Sequence, residues 1–216
     1  MDPIALLLLI PPLLFALTVH EWSHGYAALR LGDPTARLLG RLTLNPLAHL
    51  DPIGSVLLLL PPHFGWAKPV PVDPRHFRHP RRDFMWVALA GPLSNLVLAA
   101  ASGLLLQGLT AAGIAGSHAR LDAAAAIDVM VRFSVQINLV LMAFNLIPIF
   151  PLDGSRILAG LLSPGLAVRY RAFEPVGPFL LLGLVILGPL TGVSPIGAIV
   201  SPVVLGLGRV ISGGLL

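Results

Sequence analysis

Long apolar runs separated by short polar stretches organise this chain. Ile4 to Val19 is apolar apart from Thr18, and the helical pattern continues through His20 and Glu21 to Leu29. That length crosses a bilayer, which takes about 20 helical residues. Pro11 and Pro12 predict a kink, tolerated in membrane helices whose neighbours satisfy the freed carbonyls. Ile53 to Leu60 is apolar but too short to span as a helix. Phe84 to about Leu109 is long enough, as is about Ile127 to Phe150, interrupted by Gln136, Asn138 and Asn145. Val176–Leu190 and Ile196–Val210 are marginal spans rich in Gly and Pro. The pattern predicts an all-α polytopic membrane protein with about five to six transmembrane helices. Between the first two long helices, Arg41-Leu42-Thr43-Leu44-Asn45 alternates with period two, and Pro69-Val70-Pro71-Val72 reads as an edge strand. A small membrane-associated β element is expected there.

Composition narrows the class. Hydrophobic residues make up 56% of the 216 and charged residues 11%, against roughly 25% charged in an ordinary soluble domain. Disorder is excluded, because it needs low hydrophobicity. The net charge of +4 does not point to nucleic acid, which demands charge clustered on a solvated face. It points to topology instead. Five spans place residues 30–83, 163–175 and the C-terminus on one side, with twelve of the fourteen basic residues; Arg120 and Arg132 lie on the other. The basic side is expected to be cytoplasmic. There is no cysteine, so any metal must be held by His, Asp or Glu.

The sharpest local signal is His20-Glu21-Trp22-Ser23-His24, at the end of the first apolar run. Residues four apart share a helix face, so both imidazoles can reach one Zn²⁺. Glu21 sits about 100° around the helix, where it can accept a hydrogen bond from water at the metal as a general base. It is one of only two glutamates in the chain. An ionisable residue at membrane depth is costly and therefore functional by default. Two His and a water leave tetrahedral zinc one ligand short. Glu174 lies in a basic loop, and Asp122 and Asp128 are expected on the opposite side. Asp153, in the stretch Asn145 to Gly154, follows a helix break at Pro148 and Pro151 on the right side. It can ligate a metal, or simply cap a helix over Ser155–Leu162.

Taken together, four segments resemble the site-2 protease family of intramembrane zinc metalloproteases: HEWSHGYAA at 20–28, GRLTLNPLAHLDPIG at 40–54, AGPLSN at 90–95 and NLIPIFPLDGSRIL at 145–158. The resemblance covers roughly residues 1–160. It implies that His20, His24 and Asp153 bind one Zn²⁺ per chain and that Glu21 is the base. It further implies a role for Asn145 near the zinc, supporting the oxyanion or the substrate backbone, with Asn95 on the second core helix in a related part. The implied fold is a three-helix catalytic core within residues 1–160, followed by accessory transmembrane helices in 161–216. No polar stretch is long enough for the PDZ or CBS domain that many relatives carry.

The function expected is zinc-dependent endopeptidase cleavage within or near the transmembrane segments of single-span proteins, in regulated intramembrane proteolysis. The partners expected are that substrate and the lipid bilayer of a prokaryotic cell, with the active site toward the cytoplasm. The sequence leaves the oligomeric state open. Asn138 and Asn145, two turns apart, are candidates to line a water path; hydrogen bonding between helices is the other reading of Asn138. An unwound substrate is expected to add as a strand along 41–45 or 68–73. A metal transporter using the same ligands is the competing class, but neither a repeat nor a second broken-helix ligand is present.

Overall fold

The structure is a computed structural model of the chain and describes residues 3–54, 67–115 and 122–216. Helix α1 spans Pro3–Arg30 and runs through Pro11 and Pro12. A short α2 (Thr35–Leu38) and two 3₁₀ turns (Pro46–His49 and Pro74–His76) lead to α3, Pro80–Ala111. After it come α4 (Ala123–Asn145), α5 (Asp153–Leu161), α6 (Pro164–Arg171), α7 (Gly177–Thr191) and α8 (Pro195–Ser212). Local chemistry sets several of these boundaries. Proline occupies the first position of α3, α6 and α8, where its missing N–H costs nothing. Asp122 caps α4 by accepting from the Ala125 N–H at 2.9 Å, and Ser194 caps α8 by accepting from Gly197 at 3.0 Å.

The main core forms around α4. Val135, Leu139, Met142 and Ala143 pack with Ala99 of α3, Ile147 and Leu152 of the following turn, Leu181 of α7 and Val200 of α8. The C-terminal helices therefore share a core with the helices before them. Two asparagines of the long helices point inward: Asn95 and Asn138 are fully buried, while Val97 and Leu104 are 66% and 68% exposed. Such an arrangement suits a hydrocarbon solvent, in which buried polar groups pair with one another and the apolar surface faces lipid.

Among the described residues, α3, α4 and α8 are long and apolar enough to cross a membrane, where five to six such helices were expected. At 15 residues, α7 is shorter than the roughly 20 a straight crossing takes. The apolar dip at 53–60 and the position of Arg120 lie largely outside the described residues.

The expected β element does not appear as strands among the described residues. Its one trace is an isolated antiparallel bridge between Leu50 and Ala67. The physical reason is how the backbone groups are spent. Pro69 and Pro71 have no N–H to give, Arg41 donates to the Lys68 and Pro69 carbonyls at 3.0 and 3.3 Å, and the Val70 N–H goes to Glu21. Few groups remain for a ladder. The extended stretch after Ala67 is fastened instead by side chains.

A buried carboxylate anchors its far end. Asp33, fully buried after α1, accepts from the Thr35 N–H and hydroxyl at 2.9 and 2.5 Å and from the Asp73 N–H at 2.7 Å. Burial pushes this carboxyl up, but the hydrogen bonds from Thr35 and Asp73 outweigh it and hold it below its ordinary value. The segment covering α1 is thus tied down on both sides of Val70.

Candidate metal centre

His20 and His24 lie one turn apart on α1, and both are buried. Opposite them, Pro148 and Pro151 interrupt the chain between α4 and α5, and Asp153 begins α5. The position before it, where a capping side chain would sit, belongs to Leu152, so Asp153 does not act as an N-cap. Gly154 makes the tight return possible, because a Cβ there would overlap the Leu146 carbonyl oxygen. Together these elements bring one ligand atom each from His20, His24 and Asp153 within 4.8 Å of one another.

Hydrogen bonds assign the protons of both imidazoles. His24 Nδ1 lies 2.8 Å from the Val87 carbonyl oxygen, which can only accept, so Nδ1 carries the proton. For His20 the assignment runs through a buried chain. The Ser134 carbonyl accepts from Asn138 Nδ2 at 2.8 Å, so the Asn138 oxygen accepts from Asn95 Nδ2 at 2.8 Å. That turns the Asn95 oxygen to His20 Nδ1, at 2.6 Å, where it accepts the proton. In its neutral form each ring therefore presents a free Nε2 lone pair.

Those two nitrogens are 3.1 Å apart, and Asp153 Oδ2 lies 3.2 and 3.4 Å from them. With both rings neutral, three lone pairs converge on one point, and Asp153 Oδ2 is buried without a hydrogen-bond partner. Such a cluster calls for positive charge at its centre, from a metal ion or from a proton on an imidazole. Zinc bonded to nitrogen and oxygen at 2.0–2.2 Å in tetrahedral geometry separates its ligand atoms by about 3.3 Å. The donor set, its spacing and the orphaned oxygen all fit that metal.

The remaining predicted residues divide into two groups. Glu21 and Asn145 line the same cavity as His20, His24 and Asp153, about 740 Å³ in volume, whose walls also include Leu17, Phe84, Pro151 and Leu181. Glu21 Oε2 accepts from the Val70 N–H at 2.8 Å, and the Asn145 amide donates to the Leu141 carbonyl at 3.0 Å. Asn95 and Asn138 do not line the cavity. They are fully buried behind His20, so Asn138 follows the interhelical reading and Asn95 orients an imidazole.

Three contributors escaped the sequence reading: Val70, through its N–H to Glu21; Val87, through its carbonyl to His24; and Gly91. Backbone groups leave no mark in side-chain identity, but a glycine inside an apolar helix is a visible signal of close approach. A Cβ at Gly91 would fall 2.5 Å from His24 Cε1 and Nε2 and 2.6 Å from His20 Cε1. Gly91→Ala is expected to push both rings out of register and weaken zinc binding about 10- to 100-fold, as read by competition with a chelating dye. The long apolar helix should keep its fold, because alanine suits a helix interior better than glycine.

Comparison with known proteins settles the family. The chain is 40% identical over 201 residues to "Putative zinc metalloprotease YwhC" of Bacillus subtilis (strain 168), covering 93% of this chain and 87% of that protein. Peptidase family M50 matches residues 110–175. The chain belongs to peptidase family M50. This site-2 protease membership makes it a metalloprotease of the membrane, with zinc as its metal, in accord with the His-His-Asp cluster. Two mycobacterial relatives are more distant. "Putative zinc metalloprotease Rip2" of Mycolicibacterium smegmatis is 33% identical over 185 residues, and that of Mycobacterium tuberculosis (strain H37Rv) is 34% identical over 181. The M50 chain spans 66% and 63% of their lengths. No solved structure matches it significantly.

Proposed function

We propose that this M50 protein is an intramembrane endopeptidase that cleaves within or near the transmembrane segments of single-span proteins, in regulated intramembrane proteolysis. The observation that carries the reading is the convergence of three ligand atoms, from His20, His24 and Asp153, on one point beside Glu21 and an open cavity. His20, His24 and Asp153 hold the zinc. Bound there, zinc supplies Lewis acidity toward water and the scissile carbonyl.

The chain's own groups supply the rest. Glu21 takes the proton of the attacking water and delivers it to the leaving amine. The Val70 N–H holds one carboxylate oxygen, leaving the other for this transfer. Asn145 turns its amide from the Leu141 carbonyl to the developing oxyanion. Asn95, backed by Asn138, keeps His20 in the tautomer that exposes Nε2, a positioning role common to metal-bound imidazoles. Residues 1–160 carry these groups, and 161–216 serve as accessory helices that close the cavity through α7. The twelve-to-two distribution of basic residues supports a multi-pass arrangement in a prokaryotic cell membrane, with the site toward the cytoplasm.

The test is hydrolysis of a single-span reporter by the purified protein in detergent. Cleavage is expected within or beside the reporter's apolar segment, to stop when a chelator strips the zinc, and to return when zinc is restored. Cleavage confined to soluble loops, or indifferent to chelation, would sink the reading.

A further inference from the structure

A second cavity, about 420 Å³ in volume, lies between the starts of α3 and α6 and the side chain of Arg156 on α5. Arg81, Arg156 and Arg171 line it, alongside the apolar groups Phe84 and Val168. The positive charge there is incompletely answered. Arg156 pairs with Glu174 at 2.5 Å. Arg81 Nη1 is enclosed without a hydrogen-bond partner, an expensive state for a charged donor. The acidic groups adjacent in sequence are engaged elsewhere: Asp83 with the His79 N–H, and Asp73 with Arg75. Both helices that begin at this wall lack a side-chain cap, so their positive ends add to the field.

We propose that this pocket is a phosphate site, filled by the phosphate of an anionic lipid headgroup or of a soluble phosphate compound. Guanidinium forks match phosphate oxygens in pairs. The apolar walls suit a ligand with a lipid tail. Arg81 stands where α3 turns apolar, the depth at which headgroup phosphates lie. Phe84 and Arg156 also border the larger cavity, so an occupied phosphate site shares a wall with the metal centre.

The experiment compares the zinc-loaded wild type with Arg81→Gln/Arg171→Gln, leaving Arg156 untouched. Native mass spectrometry counts retained phosphatidylglycerol and phosphatidylcholine, and calorimetry follows inorganic phosphate. Phosphatidylglycerol or phosphate is expected to bind the wild type, and binding should weaken about tenfold for each arginine removed. Lysine at both positions should restore part of the affinity, which separates lost charge from lost folding. Retention of phosphatidylglycerol that phosphate does not displace assigns the site to lipid; binding of phosphate alone assigns it to a soluble ligand. The proposal is overturned if the wild type and the glutamine variant bind alike. It is equally overturned if Arg37→Gln/Arg169→Gln, which removes the same charge outside the pocket, weakens binding as much.

Discussion

Glu21→Gln is expected to leave zinc bound and to cut peptide hydrolysis by about 10²- to 10⁴-fold. The amide is nearly the same size as the carboxylate, and its oxygen can still accept from the Val70 N–H. The fold and the covering segment should therefore survive. What disappears is proton affinity: an amide cannot take a proton from water or return it to an amine. The ligand cluster comprises His20, His24 and Asp153 without Glu21, so metal content should stay at the wild-type level. Elemental analysis beside the reporter assay reads both quantities. Turnover within tenfold of wild type would remove Glu21 from its assigned role.

Asp153→Ala should have the opposite signature, with the metal itself lost. Removing a group that merely supports a metal ligand commonly weakens affinity 10- to 100-fold, and removing a ligand should exceed about 100-fold. Metal-free protein offers a separate readout. Asp153 Oδ2 stands 3.2 and 3.4 Å from the two imidazole nitrogens, and without zinc a protonated imidazole pairs with it, a contact the substitution removes. The variant stripped of zinc should melt no higher than stripped wild type, and zinc should raise the melting temperature of wild type alone. A variant that retained zinc at wild-type affinity would exclude Asp153 as a ligand. The two variants thus separate base from ligand, since one keeps metal without activity and the other loses both.

The parts of the centre legible in the sequence rest on short-range periodicity. His20 and His24 share a face because a helix repeats every 3.6 residues, and Glu21 is conspicuous because charge is scarce in an apolar chain. The partner side was legible only as far as Asp153 after two prolines, with helix capping as the alternative reading of the same residue. Folding separated those readings by making Leu152, not Asp153, the residue before α5. The β element misled for a complementary reason. Alternation describes where side chains point but is silent on which partners take the backbone groups, and here Arg41 and Glu21 took several of them.

By itself the sequence determined an apolar helical protein with one zinc-type motif and a lopsided distribution of basic residues. These follow from local spacing and composition, which survive without any knowledge of neighbours. Only the tertiary structure decided which residues stand behind the site. The proton on His20 is assigned through Asn95, Asn138 and the Ser134 carbonyl, residues 75, 43 and 4 positions apart along successive links. Gly91 matters because two imidazoles occupy the space its side chain would fill. Such facts depend on the approach of α1, α3 and α4, and distances between helices far apart in the chain are set by packing rather than by any local pattern.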